Sequence, residues 1–346
     1  MNNKAYKSLS VADVAEKLTE FSKNFEKLLI CIHRSPDGDA VGSAFALKRI
    51  YEELSGTATV VCCDEAPKYL SFIINGQNTV KYTGKEEYTK IVTVDTASPS
   101  QMGDLEFLCE KVEFAIDHHE IHTEYSDNCT DGSASAAGEV LFEIYKHLVG
   151  SKRINENADI CRAIFCAISA DTGSFQYSNT TAKTHKIASE LVNIINSDEN
   201  GINTAEISRL IHNSRSMETL KAQKLCIEKL KFAMDRRIAY IILNNEDIRT
   251  EGLESEHFGA AIDIPRSVEG VLLSFVLKES DRSRENCTVT YKISTRSSCN
   301  VSVADICKKF GGGGHVKAAG GSITAKNEEE AVNAVLSEFE NALKGE

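Results

Sequence analysis

Short apolar segments rich in valine and isoleucine alternate with helix-like segments through the first 195 residues, and this alternation constrains the fold most strongly. Strands are predicted at 27–33, 58–63, 91–95 and 112–117, and helices at 44–54, 136–148, 158–170 and 182–195. Strands covered on both faces are continuous apolar runs, and their alternation with helices is typical of a parallel sheet. We therefore predict an α/β fold with a largely parallel N-terminal sheet and flanking helices.

The rest of the chain predicts a linker and a second, smaller domain. Residues 204–236 are polar and charged, with apolar residues at roughly helical spacing, which indicates a helical linker. Strand-like segments at 238–243, 271–277 and 287–294, a helix at 303–310, a glycine run and a final helix at 328–343 indicate an α+β domain. A chain of 346 residues also exceeds the usual size of one hydrophobic core. The predicted domains are 1–195 and 237–346, joined by a linker at 196–236.

Composition and charge disfavour several classes of protein. Most of the eleven cysteines lie in apolar stretches, as at Cys31, Cys62, Cys161, Cys166 and Cys287, which predicts buried, reduced thiols. No apolar run approaches the roughly 18 residues that cross a membrane, and the N-terminus has no apolar signal core, which predicts a cytoplasmic protein. The net charge of −12 disfavours long nucleic acids, including duplexes, but allows a small anionic substrate held beside metal ions.

Aspartates and histidines cluster at the ends of the predicted strands and of one predicted helix. In chain order they are His33, Asp37, Asp39, Asp95, Asp117, His118, His119 and Asp171. Taken singly, Pro-Asp-Gly-Asp is typical of a turn, and an aspartate after a strand is typical of a helix cap. In an open α/β sheet, however, ligands bind outside the carboxyl ends of the strands, where these segments would meet. Carboxylates gathered at one edge repel each other unless cations lie between them, so we predict a metal site.

The types of ligand indicate which metal is bound. Carboxylates dominate and no cysteine is near, which disfavours structural zinc and favours hard cations. Imidazole ligands shift the preference from Mg²⁺ toward Mn²⁺, with Co²⁺ or Fe²⁺ as substitutes. Two divalent ions bridged by one carboxylate are the usual apparatus for hydrolysing phosphate esters. We therefore predict two divalent metal ions, with Mn²⁺ as the first choice.

Four segments, Asp37-Gly38-Asp39, Asp95, Asp117-His118-His119 and Asp171, resemble in order the motifs of the DHH phosphoesterase superfamily. The resemblance implies that His33 and Asp37 bind one metal ion, that Asp39, His118 and Asp171 bind the other, and that Asp95 bridges them. It also implies that His119 faces the substrate phosphate while Asp117 orients the histidines. Spacing alone allows the roles of His118 and His119 to be exchanged. One departure is Ser35, where relatives commonly have asparagine.

A second candidate site lies in the C-terminal part of the chain. Arg296 and Ser297 precede the run Phe310-Gly311-Gly312-Gly313-Gly314-His315, which is followed by Ala318-Ala319-Gly320. Out of context, four glycines are typical of a flexible linker. Within a domain, glycines let backbone N–H groups approach an anion, arginine can bind phosphate through two hydrogen bonds, and histidine can donate another. The predicted substrate-binding residues are Arg296, Ser297, Gly312, Gly313, Gly314 and His315.

This second pattern resembles the DHH-associated substrate-binding domain. Together, the two halves resemble the bifunctional oligoribonucleases and pAp phosphatases (nanoRNases) from about residue 22 to residue 343. That resemblance implies hydrolysis of short oligoribonucleotides to mononucleotides, removal of the 3′-phosphate of pAp, and a second domain that closes over the catalytic rim.

Several alternatives stay open at this point. The nearest is a phosphodiesterase for linear or cyclic dinucleotides such as pApA or c-di-AMP. A pyrophosphatase is disfavoured by the glycine-histidine motif, a single-strand DNA exonuclease by the acidic charge, and a nucleotide sensor by the complete set of ligands. The sequence leaves open the preferred substrate length, the polarity of cleavage, the preference for RNA or DNA, and whether the chain is a monomer or a homodimer.

Overall fold

The computed structural model describes residues 6–77, 80–283 and 287–344, and the chain divides into two compact units, Met1–Ser214 and Arg215–Glu346. The division falls inside the segment 196–236 that the sequence assigns to a linker. The domain limits drawn from the sequence stay a prediction. Within the described residues, no helix is both long enough and apolar enough to cross a membrane.

The N-terminal unit is built on a parallel sheet, which for the described residues has five strands in the order β2-β1-β3-β4-β5. The strands are β1 Lys27–Cys31, β2 Thr57–Val61, β3 Lys90–Val94, β4 Val112–Asp117 and β5 Asp127–Thr130. The helices are α1 Val11–Lys23, α2 Gly38–Glu53, α3 Ala137–Gly150, α4 Ala158–Asp171, α5 Ala182–Ser197 and α6 Thr204–Ser208. Short 3₁₀ segments cover Lys68–Leu70 and Pro99–Lys111, and a π-helical turn covers Arg209–Asn213. The predicted α/β fold with a parallel sheet is confirmed.

Two elements of this unit were not predicted. The edge strand β5 reads Asp-Asn-Cys-Thr, and only Cys129 is buried, so it lacks the apolar run that marks the other strands. Helix α1 is amphipathic and begins at a capping box formed by Ser10 and Asp13. The apolar face of α1 packs into the core through Val14, Leu18 and other buried residues.

The C-terminal unit contains a mixed sheet, which for the described residues has six strands in the order β10-β11-β9-β8-β7-β6. The strands are β6 Lys231–Ala233, β7 Ile238–Leu243, β8 Leu273–Ser283, β9 Thr288–Ser297, β10 Gly313–His315 and β11 Ala318–Ala325. The helices are α7 Met217–Glu228, α8 Asn245–Thr250, α9 Asp263–Arg266, α10 Val303–Lys308 and α11 Glu328–Lys344, with a 3₁₀ turn at Ser255–Phe258. Strands β7 and β8 are parallel, and the other pairs are antiparallel.

Three details of this unit differ from the sequence prediction. The segment predicted as helical to residue 236 ends in β6, whose three residues are too few to show a strand pattern and which pairs with β7. The glycine run forms β10 and pairs with β11 in a hairpin. Among the cysteines predicted to be buried, Cys31, Cys62, Cys161 and Cys166 are buried, but Cys287 is exposed because it lies in the turn before β9.

Candidate metal centre

The predicted ligands of the N-terminal unit meet at one edge of its sheet. Strands β1, β3 and β4 are neighbours, so their carboxyl ends lie side by side. His33, Asp95 and the pair His118-His119 follow these three strands directly or within two residues. The remaining candidates come from helix ends and from the last residue of β4: Asp37, Asp39, Asp117 and Asp171. The structure therefore brings all eight residues to one region.

One group of ligand atoms comes from His33, Asp37 and Asp95. The Nε2 atom of His33 lies 3.4 Å from Oδ2 of Asp95 and 3.9 Å from Oδ1 of Asp37. Its Nδ1 atom lies 2.8 Å from the carbonyl oxygen of Arg34, to which it can donate a hydrogen bond. That bond leaves Nε2 as the lone-pair atom that faces the two carboxylates.

A second group comes from Asp39, His118 and Asp171. The Nε2 atom of His118 lies 3.6 Å from Oδ2 of Asp39 and 3.6 Å from Oδ2 of Asp171. It also lies 3.5 Å from Oδ1 of Asp95. Ligand atoms that are each about 2.1 Å from a shared ion lie roughly 3.0–3.5 Å from one another, which is close to the spacing found here. Asp95 thus turns Oδ1 toward one group and Oδ2 toward the other.

Within the described part of the chain, Asp95 has an unpaired side-chain oxygen and a strained backbone, and both features are typical of functional sites. Its Oδ1 atom is buried and has no hydrogen-bond partner among the described residues. Its backbone has φ of +53°, a left-handed conformation that is costly for a residue other than glycine. Burial, together with the charge of Asp95, raises the pKa of Asp39 well above its ordinary value. Buried carboxylates this close together fit a pair of divalent cations. Cations would reduce the repulsion between the negative charges and offset the cost of removing them from water.

Local sequence explains why the two helices carrying aspartates approach so closely. Asp37 is the N-cap of α2, and its Oδ1 accepts hydrogen bonds from the backbone N–H groups of Asp39 and Ala40. Asp37, which the sequence alone would place in a turn, is thus a helix cap, and its Oδ2 makes neither of these bonds. A Cβ atom on Gly38 would lie 2.5 Å from Cβ of Ala170, so only glycine lets α2 start against the end of α4.

Asp117 and His119 form a pair beside the two ligand groups. The Nδ1 atom of His119 donates to Oδ1 of Asp117 at 2.7 Å, and the same oxygen accepts from the backbone N–H of His118 at 2.9 Å. His118 differs, because its Nδ1 lies 3.3 Å from the carbonyl oxygen of Ala134 and its Nε2 faces the carboxylates. The Nδ1 atom of His119 is still 3.7 Å from Oδ1 of Asp95. Atoms of Asp95, His118 and His119 also lie close enough together to hold one ion. His118 turns its Nε2 atom toward Asp39 and Asp171, whereas His119 approaches Asp95 through the Nδ1 atom that donates to Asp117, so we keep His118 as the predicted ligand.

The sequence did not single out the start of α3, although it holds Asp39 in place. The backbone N–H groups of Ala137 and Gly138 donate to the two oxygens of Asp39 at 2.7 and 3.1 Å. The signal in the sequence is a run of small residues at 132–138, which lets a backbone approach a carboxylate closely.

The pKa values of the two histidines predicted to be ligands indicate how metal binding would depend on pH. Burial alone would lower them, but the close approach of Asp95 and the charge of the other nearby carboxylates raise the pKa of His33 to about 9 and that of His118 to about 10. The ordinary pKa of histidine is 6.5, so the folded, metal-free chain binds these protons more tightly than the unfolded chain does. The resulting stabilisation is complete below pH 6.5 and is lost as the pH rises through 9–10. Metal ions compete with these protons.

We therefore expect the affinity for Mn²⁺ to rise between about pH 6 and pH 9, with protons released on binding. Calorimetric titration in two buffers of different ionisation enthalpy at pH 8 measures both quantities. An affinity that does not change with pH would show that these histidines do not bind the metal.

The C-terminal unit places Arg296 and His315 on one face of its sheet. Ala318 of β11 pairs directly with Arg296 of β9 on one side and with His315 of β10 on the other. Directly opposed residues in antiparallel strands point to the same face, about 5 Å apart from strand to strand. Ala318, with its short side chain, lies between the two longer ones, and Nη1 of Arg296 donates to the carbonyl oxygen of Thr295 at 2.9 Å.

The other predicted substrate-binding residues have different positions. Ser297 follows Arg296 and therefore points to the opposite face, where its hydroxyl donates to the carbonyl oxygen of Cys299. Gly312 and Gly314 are required by backbone packing. A Cβ atom on Gly312 would lie 2.0 Å from the carbonyl oxygen of Gly320, and one on Gly314 would lie 2.7 Å from that of Ala318. Gly313 has open space around it and is exposed. Of the three glycines predicted to bind substrate, Gly313 is therefore the one that backbone packing does not require.

Known protein families match both units. A model described as the N-terminal domain of the DHH family matches residues 27–168, and a model of the DHHA1 domain matches residues 237–344. The bifunctional oligoribonuclease and PAP phosphatase NrnA of Thermus thermophilus is 28% identical over 315 residues, covering 89% of this chain and 88% of that protein. The cyclic-di-AMP phosphodiesterase PdeA of Listeria monocytogenes is 24% identical, covering 96% of this chain but 50% of that protein.

A solved structure supports the fold independently. An exopolyphosphatase-related protein from Bacteroides fragilis superposes with a TM-score of 0.79 and 22% sequence identity. The alignment covers 96% of this chain and 95% of that protein. At this identity the likeness establishes the arrangement of helices and strands.

Proposed function

Since the chain belongs to the DHH family and carries a DHHA1 domain after its DHH domain, we propose that it is a two-metal phosphoesterase acting on small nucleotides. Its substrates would be short oligoribonucleotides, hydrolysed to mononucleotides, and pAp, which loses its 3′-phosphate. The observation that carries the proposal is Asp95, whose two carboxylate oxygens face two separate groups of ligand atoms. The proposed activity is the one that the name of the NrnA relative states, and the alignment covers 88% of that protein.

The proposed ligands follow these two groups. His33 and Asp37 would hold one ion, His118, Asp39 and Asp171 the other, and Asp95 both. Mn²⁺ is the first choice because imidazole and carboxylate ligands are mixed, with Mg²⁺ and Co²⁺ as alternatives. When bound, the two ions supply Lewis acidity for the phosphate and activate water for attack.

His119 would bind the phosphate rather than a metal ion. The hydrogen bond that Nδ1–H of His119 donates to Asp117 holds the proton on Nδ1 and raises the pKa of the ring, so His119 carries positive charge more readily than a free histidine. Its Nε2–H can then donate to a phosphate oxygen. Asp117 is almost fully buried, so it fixes the orientation of His119 without contacting substrate.

Arg296 and His315 would recognise the part of the substrate that is remote from the cleaved bond. We expect Arg296→Ala and His315→Ala each to lower kcat/KM for a dinucleotide by roughly ten- to a hundredfold, equivalent to about 1.4–2.7 kcal/mol. A chromogenic phosphodiester without a second nucleotide should be hydrolysed at the wild-type rate. Steady-state kinetics on both substrates measures the difference.

Lys292 offers a matched control for these two variants. It is exposed on β9 and lies four residues from Arg296, so it shares the same face of the strand. Lys292→Ala removes a positive charge there without touching the row formed with Ala318. A loss in Lys292→Ala equal to that in Arg296→Ala would indicate general electrostatic attraction instead of a specific site.

A dinucleotide phosphodiesterase is the second candidate, because one relative over almost the whole chain is a cyclic-di-AMP phosphodiesterase. Purified protein with Mn²⁺ should be incubated with pAp, pApA and c-di-AMP, and the products separated by chromatography. The leading proposal expects AMP and phosphate from pAp and AMP from pApA. Cleavage of c-di-AMP at a higher kcat/KM than either would favour the second candidate.

A further inference from the structure

Asp39 and Asp171 belong to different helices, yet both lie 3.6 Å from the same nitrogen of His118. Asp39 is fixed on all sides, since its carboxylate accepts from Ser43 as well as from the start of α3. Asp171 is the last residue of α4, where backbone carbonyls lack partners within the helix. Something outside α4 must hold Asp171 at this distance from Asp39.

Asn179 makes that connection. Its Nδ2 atom donates to the carbonyl oxygen of Asp171 at 3.1 Å and to the carbonyl oxygen of Ser135 at 3.1 Å. Ser135 lies two residues before Ala137, whose backbone N–H binds Asp39. A single amide group therefore joins the end of α4 to the segment that holds Asp39.

Ser135 is itself held by a chain of hydrogen bonds through buried residues of α3 and α5. Its hydroxyl donates to Oε1 of Glu139 at 2.5 Å, and the same oxygen accepts from the hydroxyl of Thr184 in α5 at 2.6 Å. Glu139 is completely buried, and so is Thr184. The partner of Asn179 on the α3 side is thus a rigid point, and a movement of Asn179 would be transmitted mainly to Asp171.

We propose that Asn179 is a positioning residue that sets the distance between Asp39 and Asp171 and so tunes the affinity of the ion held with His118. The assignment rests on the proposed two-metal site. Groups that orient metal ligands typically change metal affinity or activity ten- to a hundredfold when removed. Asn179 is exposed, and its amide donates to the backbone oxygens of Asp171 and Ser135, so its removal should leave the hydrophobic core intact.

The test is calorimetric titration of the full chain with Mn²⁺, without substrate, for the wild type and Asn179→Ala. We expect two binding events in the wild type. In Asn179→Ala, one event should weaken about ten- to a hundredfold while the other keeps its affinity. At a fixed, limiting Mn²⁺ concentration kcat should fall by a similar factor, and KM for a dinucleotide should change less than about twofold.

Two further variants sharpen the result. Asn179→Asp places a carboxylate against two carbonyl oxygens, so it should weaken the same event at least as strongly. Asn193→Ala is the matched control, because Asn193 is an exposed asparagine in α5 and should bind both ions as the wild type does.

Wild-type affinity for both ions in Asn179→Ala would overturn the assignment. Equal weakening of both events, with a lower melting temperature of the metal-free protein, would also overturn it and indicate a general structural role. Because binding is measured without substrate, a wild type that binds two ions but hydrolyses no nucleotide would contradict only the proposed function.

Discussion

Replacing Asp95 with alanine is expected to reduce kcat about 10⁴-fold, equivalent to about 5 kcal/mol of transition-state stabilisation. Asp95 is the one carboxylate that faces both His33 and His118, through different oxygens. Asp95 belongs to the group with His33 and Asp37, and its other oxygen lies 3.5 Å from His118 of the second group, so its loss would remove the ligand proposed to bridge both ions. Asp37 and Asp171 each belong to one group. Initial rates on pAp at saturating Mn²⁺ measure the effect.

Asp37→Ala and Asp171→Ala should also lose most activity, but less than Asp95→Ala. His122→Ala is the control, since His122 lies three residues beyond His119, is exposed and belongs to neither ligand group. Activity within a few-fold of the wild type in Asp95→Ala would remove this residue from the reaction. A large loss in His122→Ala would show that the rim is sensitive to change in general.

Removal of the metal ions should abolish turnover and also lower the melting temperature. An ion that binds only the folded chain stabilises it by about 2.7 kcal/mol when present at a hundredfold excess over its dissociation constant. Without ions, the folded chain must hold the buried carboxylates of Asp39 and Asp95 close to Asp171. Chelation followed by thermal unfolding, then addition of Mn²⁺, should show loss and recovery of both stability and activity.

The Asp95→Ala protein provides the internal control for this measurement. Mn²⁺ should raise its melting temperature much less than that of the wild type, because the carboxylate proposed to bridge the two ions is missing. Full activity of the wild type after exhaustive chelation would contradict the two-metal mechanism.

The sequence predicted that the candidate ligand side chains would meet at one edge of the sheet, and the reason is physical. Strands β1, β3 and β4 are largely buried on both faces and therefore appear as mostly apolar runs. The polar residues that follow such runs are forced to one edge of a parallel sheet, so His33, Asp95 and His118 could be expected to meet. Their ligand roles rest on the resemblance and stay predictions.

The parts that the sequence did not predict depend on contacts between distant residues. Strand β5 lies at the edge of the sheet and is mostly polar, so its sequence has no apolar pattern that would predict its pairing with β4. The amide of Asn179 binds Asp171 and Ser135, which are eight and 44 residues away. Gly312 was interpreted as a ligand-binding glycine, but its close approach to Gly320 in the next strand already requires glycine there.

The dependence of the hydrolysis rate on substrate length is the most direct test of the proposal that the substrates are pAp and short oligoribonucleotides. With a net charge of −12, the surface offers little for a long phosphate backbone to hold, and the remote recognition assigned to Arg296 and His315 needs only a short substrate. Initial rates with Mn²⁺ should be compared for pAp, a diribonucleotide and a 24-mer oligoribonucleotide at equal concentrations of ends. We expect rapid conversion of pAp and of the diribonucleotide, and much slower cleavage of the 24-mer. Faster hydrolysis of the 24-mer than of the diribonucleotide would contradict the proposal and indicate a processive exonuclease.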